Sequence, residues 1–429
     1  MRYHFIGIKG SGMSALAMVL KGLGNDVKGS DYSTYMFTED LLVKEGIEIF
    51  EFDSNNINNV DVVIVGHNFI DSNNIELEEA KRKNIKIVEY HIALGELIKN
   101  YFSIAISGSN GKTTTTGLIA SVLNEVEDSS YLIGSGEGKG RKSKYFTFEA
   151  CEYKNHFLEY EPNVVLVNNI DYDHVDYFKE EKDYVKAFYN FINNSKNIVV
   201  VNGDDKYLEC VNNVISFGLD SRCLVRAKNI NYDNGISYDL YYKENYIDRI
   251  DLDFYGKHMV YDTLACISVC MSIGIDMINI KNGLKKFKGV KQRFEETIIN
   301  GDVYIDDYAH HPSKINAIID AVKQKYKNKK VIAFFRPDRV SRLDYFASLF
   351  VSSLKRADEF YILPFNSSNN EEITSYKNFM REYNLKELSE ETYLEIARKK
   401  DVVYLMMSSK NMDEVKSSIM KYKGWFYGV

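Results

Sequence analysis

Short apolar runs alternate with amphipathic helical patterns along the N-terminal part of the chain. The apolar runs YHFIGI, DVVIVG and IKIVEY are separated by helical patterns from Met13 to Leu23 and from Glu76 to Lys83. Such alternation is typical of a parallel sheet whose strands are joined by crossover helices. The pattern therefore predicts an α/β unit up to about Lys99.

Two further cycles of the same kind fill the rest of the sequence. The second opens at Ser103 with IAISG and a glycine turn, continues through FTFEAC, NVVLVNNI and NIVVVNGDD, and then predicts two short β-ribbons from Asn229 to Asp253 and a buried helix from Tyr261 to Gly274. The third begins near Val303 with YIDDYAHHP and includes KVIAFFRP, a helix from Asp344 to Arg356, EFYILPF and DVVYLMMSS. A chain of 429 residues is long enough for three such cores.

The composition is that of a globular chain and excludes several functional classes. Hydrophobic residues make up 45% and charged residues 27% of the sequence, and the net charge is -7. This charge offers no broad basic surface, so we expect no nucleic-acid partner. The five cysteines form no CxxC pair, which favours reduced thiols over disulfides or zinc ligation. No apolar run approaches the length of about 18 residues that a membrane span needs, and we expect a cytoplasmic protein.

A first glycine turn follows the first predicted strand and opens a helix. Its residues are Gly7, Gly10, Ser11 and Gly12, and Asp31 closes the next strand. Glycines let the backbone approach a phosphate, which the N–H groups and dipole of a helix N-terminus favour. The spacing is G-x-x-G-x-G, whereas the dinucleotide fingerprint is G-x-G-x-x-G. The turn thus indicates a phosphate site other than a nicotinamide site, with a plain strand–helix joint as the alternative.

A second glycine turn has the residue types of a P-loop. It follows the buried strand IAISG and consists of Gly108, Ser109, Asn110, Gly111, Lys112, Thr113 and Thr114. In such a turn, backbone N–H groups surround phosphate, the lysine neutralises the β- and γ-oxygens, and the first threonine hydroxyl ligates Mg2+. The turn predicts ATP binding, although Gly108 lies closer to Gly111 than the full eight-residue pattern requires.

Acidic and imidazole side chains follow two strands of the second unit. They are Glu149, Glu152, Asp171, Asp173, His174 and Asp176. Ligands of open α/β sheets gather beyond the carboxyl ends of the strands. Glu149, Glu152 and His174 are therefore predicted to act with Thr113 on Mg2+ and nucleotide phosphates. The three aspartates are predicted to be turn residues, since Asp is common in turns.

A similar group follows the first strand of the third unit. It comprises Asp306, Asp307, His310 and His311 in the motif YIDDYAHHP. Adjacent histidines suggest zinc, but no third ligand has the spacing of a zinc site, so we reject that interpretation.

Taken in order, these motifs resemble those of the Mur ligase family. They are FIGIKGSGMSALA, GSNGKTTTT, EACEY, DYDHVD, GVKQRFE and DDYAHHP, and they cover essentially the whole chain. Within the family, the N-terminal turn resembles the branch that joins L-alanine to UDP-N-acetylmuramate and its relative that recycles muropeptides. The resemblance implies an α/β protein of three successive domains: a Rossmann-like UDP-sugar domain over residues 1–99, a P-loop ATPase-like central parallel sheet over residues 100–297, and a Rossmann-like amino-acid domain over residues 298–429.

The resemblance also implies a reaction and a role for each motif. ATP with Mg2+ would phosphorylate the sugar's carboxylate, and the amine of a small amino acid would displace the phosphate. The UDP-sugar would be bound by Gly7, Gly10, Ser11, Gly12 and Asp31. ATP would be bound by the P-loop residues together with Asp262, Arg293, Asp307 and His310. Lys112, His174, Arg293, Glu149 and Glu152 would be catalytic, and Thr113, Glu152 and His174 would hold the metal. Arginine is suited to stabilising transferring phosphoryl charge.

Several positions depart from the family pattern. Asn110 replaces a histidine of the L-alanine branch, and Asp262 replaces an asparagine expected at adenine. In FRPDRVSR, Arg339 and Arg342 are retained and would suit an amino-acid carboxylate, but Asp338 replaces a histidine. The amino acid therefore stays open between L-alanine, glycine and L-serine. A non-catalytic paralogue that binds UDP-sugar and ATP is a second hypothesis, and a nucleotide-dependent dehydrogenase is a distant third; the oligomeric state is left open.

Overall fold

The computed structural model describes residues 1–365, 367, 369–385 and 387–427. Its strands form three sheets that follow one another along the chain. This confirms the predicted α/β fold of three successive domains, which we call the first, second and third domain. The predicted limits at residues 99 and 297 stay predictions, and the first strand of the third sheet, Glu295–Ile299, crosses the second limit.

The first domain is a five-stranded parallel sheet with helices on its faces, in the strand order β3-β2-β1-β4-β5. The strands are β1 (Arg2–Ile6), β2 (Asp26–Ser30), β3 (Glu48–Phe50), β4 (Val62–Val65) and β5 (Lys86–Glu89). The helices are α1 (Ser11–Gly22), α2 (Thr38–Lys44), α3 (Ile75–Arg82) and α4 (Tyr90–Ile98). All four residues of β4 are buried, as expected for a central strand covered on both faces.

The second domain contains a ten-stranded sheet in the order β15-β14-β13-β12-β11-β10-β6-β9-β7-β8. Its strands are β6 (Phe102–Ser107), β7 (Ser130–Leu132), β8 (Gly138–Lys139), β9 (Tyr145–Glu149), β10 (Val164–Val167), β11 (Ile198–Asn202), β12 (Ile215–Gly218), β13 (Val225–Asn231), β14 (Ile236–Tyr242) and β15 (Asn245–Leu252). Its helices are α5 (Lys112–Leu123), α6 (Glu181–Asn193), α7 (Lys257–Ser272) and α8 (Met277–Lys286). The two predicted ribbons are instead one antiparallel meander, because β14 pairs with both β13 and β15.

The third domain has a five-stranded sheet in the order β16-β17-β20-β18-β19. The strands are β16 (Glu295–Ile299), β17 (Asp302–Asp307), β18 (Lys330–Phe335), β19 (Glu359–Ile362) and β20 (Val402–Met407). The helices are α9 (Pro312–Lys325), α10 (Val340–Tyr345), α11 (Ala347–Leu354), α12 (Asn370–Glu382), α13 (Glu390–Ala397) and α14 (Asp413–Tyr427). The single helix predicted from Asp344 to Arg356 is wrong in outline, since Phe346 leaves helical geometry with ψ 21° and separates α10 from α11.

Close backbone packing fixes the first domain against the edge of the second. A Cβ atom at Gly138 of β8 would lie 2.0 Å from the carbonyl oxygen of Ala15, and one at Gly140 would lie 2.0 Å from that of Val19. Only glycine allows α1 to approach β8 so closely. This packing fixes the position of the first domain, and of the glycine turn after β1, relative to the second domain, which carries the glycine turn after β6.

Candidate active site

The P-loop turn joins the buried strand β6 to the N-terminus of α5. Gly108 has φ +133° and Gly111 has φ +79°, conformations that side chains other than glycine rarely adopt. The turn therefore presents its N–H groups at the start of a helix, where the dipole favours anions. The turn lines one cavity with six consecutive residues, 109–114.

Lys112 and Glu152 form a buried ion pair beside this turn. Lys112 Nζ lies 2.9 Å from Oε2 of Glu152 and also donates to the carbonyl of Gly108. His174 Nε2 lies 3.4 Å from Oε1 of the same carboxylate. Burial alone would raise the pKa of Glu152, but the charge of Lys112 and the hydrogen bond and charge of His174 lower it to about 2. The carboxylate is thus ionised and holds the lysine and the imidazole in place.

Thr113 contacts the other glutamate of the EACEY motif. Its Oγ1 donates to Oε2 of Glu149 at 2.8 Å, and Nη2 of Arg293 donates to Thr113 Oγ1 at 3.4 Å. Arg293 also lies over the ring of Tyr308 at 4.6 Å, which fixes the guanidinium at the junction of the second and third domains. The predicted metal group is consequently divided, because Thr113 contacts Glu149 whereas Glu152 and His174 contact each other.

The donor set beside the P-loop fits Mg2+ better than zinc. Within the described part of the chain, no group of three or more His, Cys, Asp or Glu side chains could hold a metal ion by itself. Mg2+ needs no such group, because it binds through one or two carboxylates, waters and substrate phosphates. The Thr113 hydroxyl and the Glu149 carboxylate supply hard oxygen ligands in contact with each other. The buried Nδ1 atom of His174 has no hydrogen-bond partner among the described residues, so this nitrogen is available to bind a ligand.

Asp262 lies directly beneath the P-loop. A Cβ atom on Gly111 would come within 2.4 Å of its Oδ1, and the same oxygen accepts a hydrogen bond from Thr115 at 3.3 Å. Burial raises the pKa of Asp262 to about 8, against a lowering effect of the Thr115 hydroxyl. The carboxyl therefore lines the cavity under the P-loop turn, and burial keeps it largely protonated at neutral pH. Its contact with the nucleotide stays a prediction.

Asp307 and His310 reach the cavity from the third domain. Asp307 accepts hydrogen bonds from the N–H groups of Phe294 and Ala309 at 2.9 and 2.8 Å, so its carboxylate organises the loop around them. His310 Nδ1 lies 2.8 Å from the carbonyl oxygen of Tyr308, and its Nε2 lies 3.5 Å from Nζ of Lys314. Sequence reasoning missed Lys314, which follows the HHP motif by two positions and also lines the cavity.

Arg342 forms an ion-pair group between the second and third domains. Its Nε and Nη2 contact the carboxylate of Asp173 at 2.9 and 3.2 Å, and its Nη1 contacts Asp338 at 2.7 Å. Arg339 pairs with Asp176 at 2.9 Å. The prediction that Asp173 and Asp176 are only turn residues is wrong, because each neutralises an arginine of the third domain. Asp171 similarly lies 3.5 Å from Nδ1 of His311.

The first glycine turn has the expected geometry but is closely packed. Gly7 has φ +83°, and Gly10 and Ser11 mark the start of α1. A Cβ atom at Gly7 would meet the ring of Phe69 at 2.4 Å, and one at Gly12 would meet the ring of Tyr90 at 2.7 Å. Both glycines are therefore required by neighbouring aromatic rings.

Asp31 holds the loop beside this turn. Its carboxylate accepts hydrogen bonds from the N–H groups of Lys9 and Tyr32, each at 2.8 Å. The side chain is buried. The contact of Asp31 with the UDP-sugar stays a prediction. In the structure, its carboxylate fixes the backbone of the loop through these two hydrogen bonds.

One large cavity unites the P-loop, the metal-ligand candidates and the third domain. It has a volume of about 1290 Å³, which is large enough for a nucleotide and a second substrate. Its lining residues from the second domain include Lys112, Thr113, Glu149, Glu152, His174 and Asp262, and those from the third include Asp307, His310, Arg339 and Arg342. The structure thus brings together the predicted ATP, metal and amino-acid residues, whereas the first glycine turn lies outside this lining.

Comparisons with known proteins agree with this organisation. Three family models match in succession: "Mur ligase family, catalytic domain" over residues 2–102, "Mur ligase middle domain" over residues 106–270, and "Mur ligase, glutamate ligase domain" over residues 292–409. The described helices include none that is long and apolar enough to cross a membrane.

Solved structures with the same fold match over almost the full length of the chain. UDP-N-acetylmuramate-alanine ligase from Thermotoga maritima has a TM-score of 0.81 at 22% identity and covers 100% of this chain and 99% of its own. A murein peptide ligase from Psychrobacter arcticus has a TM-score of 0.74 at 21% identity, with 99% of each chain covered. A pseudomurein peptide ligase type C from Methanothermus fervidus has a TM-score of 0.65 at 18% identity and covers 98% of this chain and 99% of its own.

Proposed function

Because this chain belongs to the Mur ligase family of ATP-dependent peptidoglycan-precursor ligases, we propose that it joins L-alanine to UDP-N-acetylmuramate. In this reaction the γ-phosphoryl group of ATP moves to the lactyl carboxylate of the sugar. The amine of L-alanine then attacks the acyl phosphate, and inorganic phosphate leaves. The first step is needed because a free carboxylate is a poor electrophile, and the phosphate gives its carbonyl carbon a good leaving group.

The observation that carries the proposal is the pair of contacts at the start of α5. Lys112 lies against Glu152, and Thr113 lies against Glu149, with the arginine Arg293 reaching the same threonine from the domain junction. Cations and hydroxyls that are already held in position stabilise transferring phosphoryl charge without reorganising during the reaction. A chain that had lost catalysis would not need this complete set.

Mg2+, when bound with ATP, would neutralise the charge that develops on the phosphate groups. We assign Thr113 and Glu149 as its protein ligands, since their oxygens contact each other at the first turn of α5. Glu152 contacts Lys112 and is itself contacted by His174, so these two residues would position the lysine for the phosphates. His174 has φ +55°, a strained conformation for a histidine that is typical of functional sites.

The amino acid would enter between the second and third domains. Arg342 is surrounded by Asp173 and Asp338, and its side chain is only 4% exposed, so its charge is already neutralised. Arg339 is 38% exposed, and among the described residues its carboxylate partner is Asp176 alone. Arg339 is therefore the better candidate for the amino-acid carboxylate, and Arg342 would position the loop that carries it.

Mass spectrometry of the product would test the amino-acid choice. The chain is incubated with ATP, Mg2+, UDP-N-acetylmuramate and an equimolar mixture of L-alanine, glycine and L-serine. We expect the mass of the L-alanine adduct to dominate. A dominant glycine or L-serine adduct would replace the substrate assignment while leaving the ligase assignment intact, and no adduct at all would contradict both.

A further inference from the structure

Lys314 is a cation of the large cavity to which the proposed function assigns no role. It lies in the first turn of α9 and lines the cavity together with residues 109–114 of the P-loop turn. The hydroxyl of Ser313, the residue before it, accepts a hydrogen bond from Nδ2 of Asn110 at 3.3 Å. The start of α9 is therefore packed against the P-loop, although the two belong to different domains.

The ammonium group of Lys314 has donors to spare. Its Nζ lies 3.5 Å from Nε2 of His310, and Nδ1 of that ring lies 2.8 Å from the carbonyl oxygen of Tyr308. Since a carbonyl only accepts, Nδ1 carries the ring proton and Nε2 presents its lone pair to the ammonium. Among the described residues, His310 is the one hydrogen-bond partner of this ammonium. An ammonium has further N–H groups, which are left for a ligand in the cavity.

The surroundings of Lys314 are rich in positive charge. Burial lowers the pKa of Lys314 to about 8. The charge of Asp173 opposes this effect, and three cations add to it: Lys112, Arg342 and Arg293. The carboxylate of Asp173 is already paired with Nε and Nη2 of Arg342. A lysine in the first turn of a helix is also opposed by the helix dipole. This placement costs the folded chain free energy that a bound anion would recover.

The position of Lys314 favours a phosphoryl group over a carboxylate as that anion. Lys112 opens α5, and Nη2 of Arg293 donates to Thr113 Oγ1 in the same helical turn at 3.4 Å. These two cations act on Lys314 from the P-loop side, and Lys314 reaches the cavity from α9. A carboxylate offers one negative charge, whereas a phosphoryl group in transfer spreads more charge over three oxygens. Three cations on separate segments suit the second kind of anion.

We propose that Lys314 is a catalytic residue that donates hydrogen bonds from the third domain to the γ-phosphoryl group during its transfer. The inference rests on the proposed function, because it adds a group to the same reaction centre. The bond from the γ-phosphorus to the bridging oxygen of ATP breaks, a bond to the acceptor's carboxylate oxygen forms, and ADP leaves with the electron pair. Lys314 keeps its proton and neutralises charge on the non-bridging oxygens. His310 acts as its positioning residue.

Phosphate release by Lys314→Met and Lys314→Arg tests this role. Lys323→Met is the matched control, because Lys323 lies on the same helix, is 39% exposed and pairs with Asp358 at 3.5 Å. Loss of one preorganised donor should lower kcat of Lys314→Met about 100-fold or more. The KM values for L-alanine and for UDP-N-acetylmuramate should change by less than about twofold. Lys314→Arg should recover part of kcat, and Lys323→Met should match the wild type.

Two further measurements separate a phosphoryl contact from a structural role. In Lys314→Met, Kd for the β,γ-imido analogue of ATP should rise about tenfold. Kd for ADP should stay unchanged, because ADP lacks the γ-phosphoryl group. The urea midpoint of unfolding should equal or exceed that of the wild type, because the variant removes a cation that the protein leaves uncompensated. A lysine that served the fold alone would lower this midpoint when replaced.

The inference is overturned by an unchanged kcat in Lys314→Met, by equal weakening of ADP and the imido analogue, or by a lowered urea midpoint. A raised KM for L-alanine at unchanged kcat would also overturn it and assign Lys314 to the amino-acid carboxylate. A wild-type chain that releases no phosphate would contradict the proposed function, and the comparison of the analogue with ADP would still test Lys314. A wild-type chain that turns over no faster than Lys314→Met refutes the role of Lys314 alone.

Discussion

Nζ of Lys112 lies 2.9 Å from Oε2 of Glu152, and the glutamate side chain is only 1% exposed. A buried carboxylate of this kind is tolerated because Lys112 and His174 compensate its charge. The pair therefore links the phosphate-binding turn to the loop that follows β9. It gives the reaction centre a cation that a buried carboxylate of the same domain holds in place.

Removing Lys112 alone should destabilise the fold more than removing the pair. Lys112→Met leaves Glu152 buried without its main partner, and breaking one side of such a pair costs about 3–5 kcal/mol. The double variant Lys112→Met with Glu152→Gln should recover much of this free energy of unfolding. Urea unfolding of the four species measures the coupling.

The surface lysine of the Lys286–Glu125 pair supplies the control for this cycle. Lys286 is 68% exposed, and Lys286→Met should change the free energy of unfolding by less than about 1 kcal/mol. Equal losses in Lys112→Met and in the double variant would contradict the buried pair.

Thr113 and Glu149 should control the Mg2+ requirement. Thr113→Val and Glu149→Gln each remove one oxygen of the contact at 2.8 Å. We expect the Mg2+ concentration for half-maximal activity to rise about tenfold or more in each, because Mg2+ keeps few protein ligands. The measurement is phosphate release across a Mg2+ titration. An unchanged Mg2+ dependence in both variants would place the metal on other residues, with Glu152 the first alternative.

Asp262 should make stability depend on pH. Its folded pKa of about 8 lies above its ordinary value of 3.8, so the folded chain keeps a proton that the unfolded chain releases. Below about pH 4 the carboxyl is protonated in both the folded and the unfolded chain, so it does not change the free energy of unfolding. As pH rises from about 4 toward 8, the free energy of unfolding falls progressively. Asp262→Asn does not titrate, so its stability relative to wild type should grow over this range, by at most about 1.4 kcal/mol per pH unit.

Urea unfolding of both proteins at pH 5 and pH 8 checks this difference. Asp248→Asn is a suitable comparison, because Lys281 holds the pKa of Asp248 below its ordinary range. A constant difference between wild type and Asp262→Asn at the two pH values would show that the Asp262 carboxyl is ionised in the folded chain.

Arg342 should affect the joining of the second and third domains more than substrate binding. Arg342→Lys keeps the charge but cannot contact Asp173 twice and Asp338 once. We expect a loss of about 2–4 kcal/mol in the free energy of unfolding and a fall in kcat. Arg339→Lys should mainly raise KM for the amino acid. Steady-state kinetics of the two variants separates these roles, and the reverse pattern would return the carboxylate to Arg342.

Much of this arrangement could be predicted from the sequence because it depends on local rules. A glycine turn between a buried strand and a helix places the residues that follow it, here Lys112 and Thr113, at the helix N-terminus. The end of the neighbouring strand β9 brings Glu149 and Glu152 beside them. The pairing of Arg342 with Asp173 could not be predicted, because Asp173 is distant in sequence and meets the arginine only where the second and third domains pack together. The ring contacts among His67, His91 and His156 could not be predicted for the same reason, since these residues lie on three separate elements.

The central claim is that the chain is an active ligase for a UDP-muramyl acceptor, and phosphate release from ATP tests it most directly. Release is measured with UDP-N-acetylmuramate plus L-alanine, with each substrate alone, and with Lys112→Ala as the control. We predict release that requires both substrates and disappears in Lys112→Ala. No release under any of these conditions, from a folded chain that binds the acceptor, would contradict the account and favour a non-catalytic protein that binds UDP-sugar and ATP.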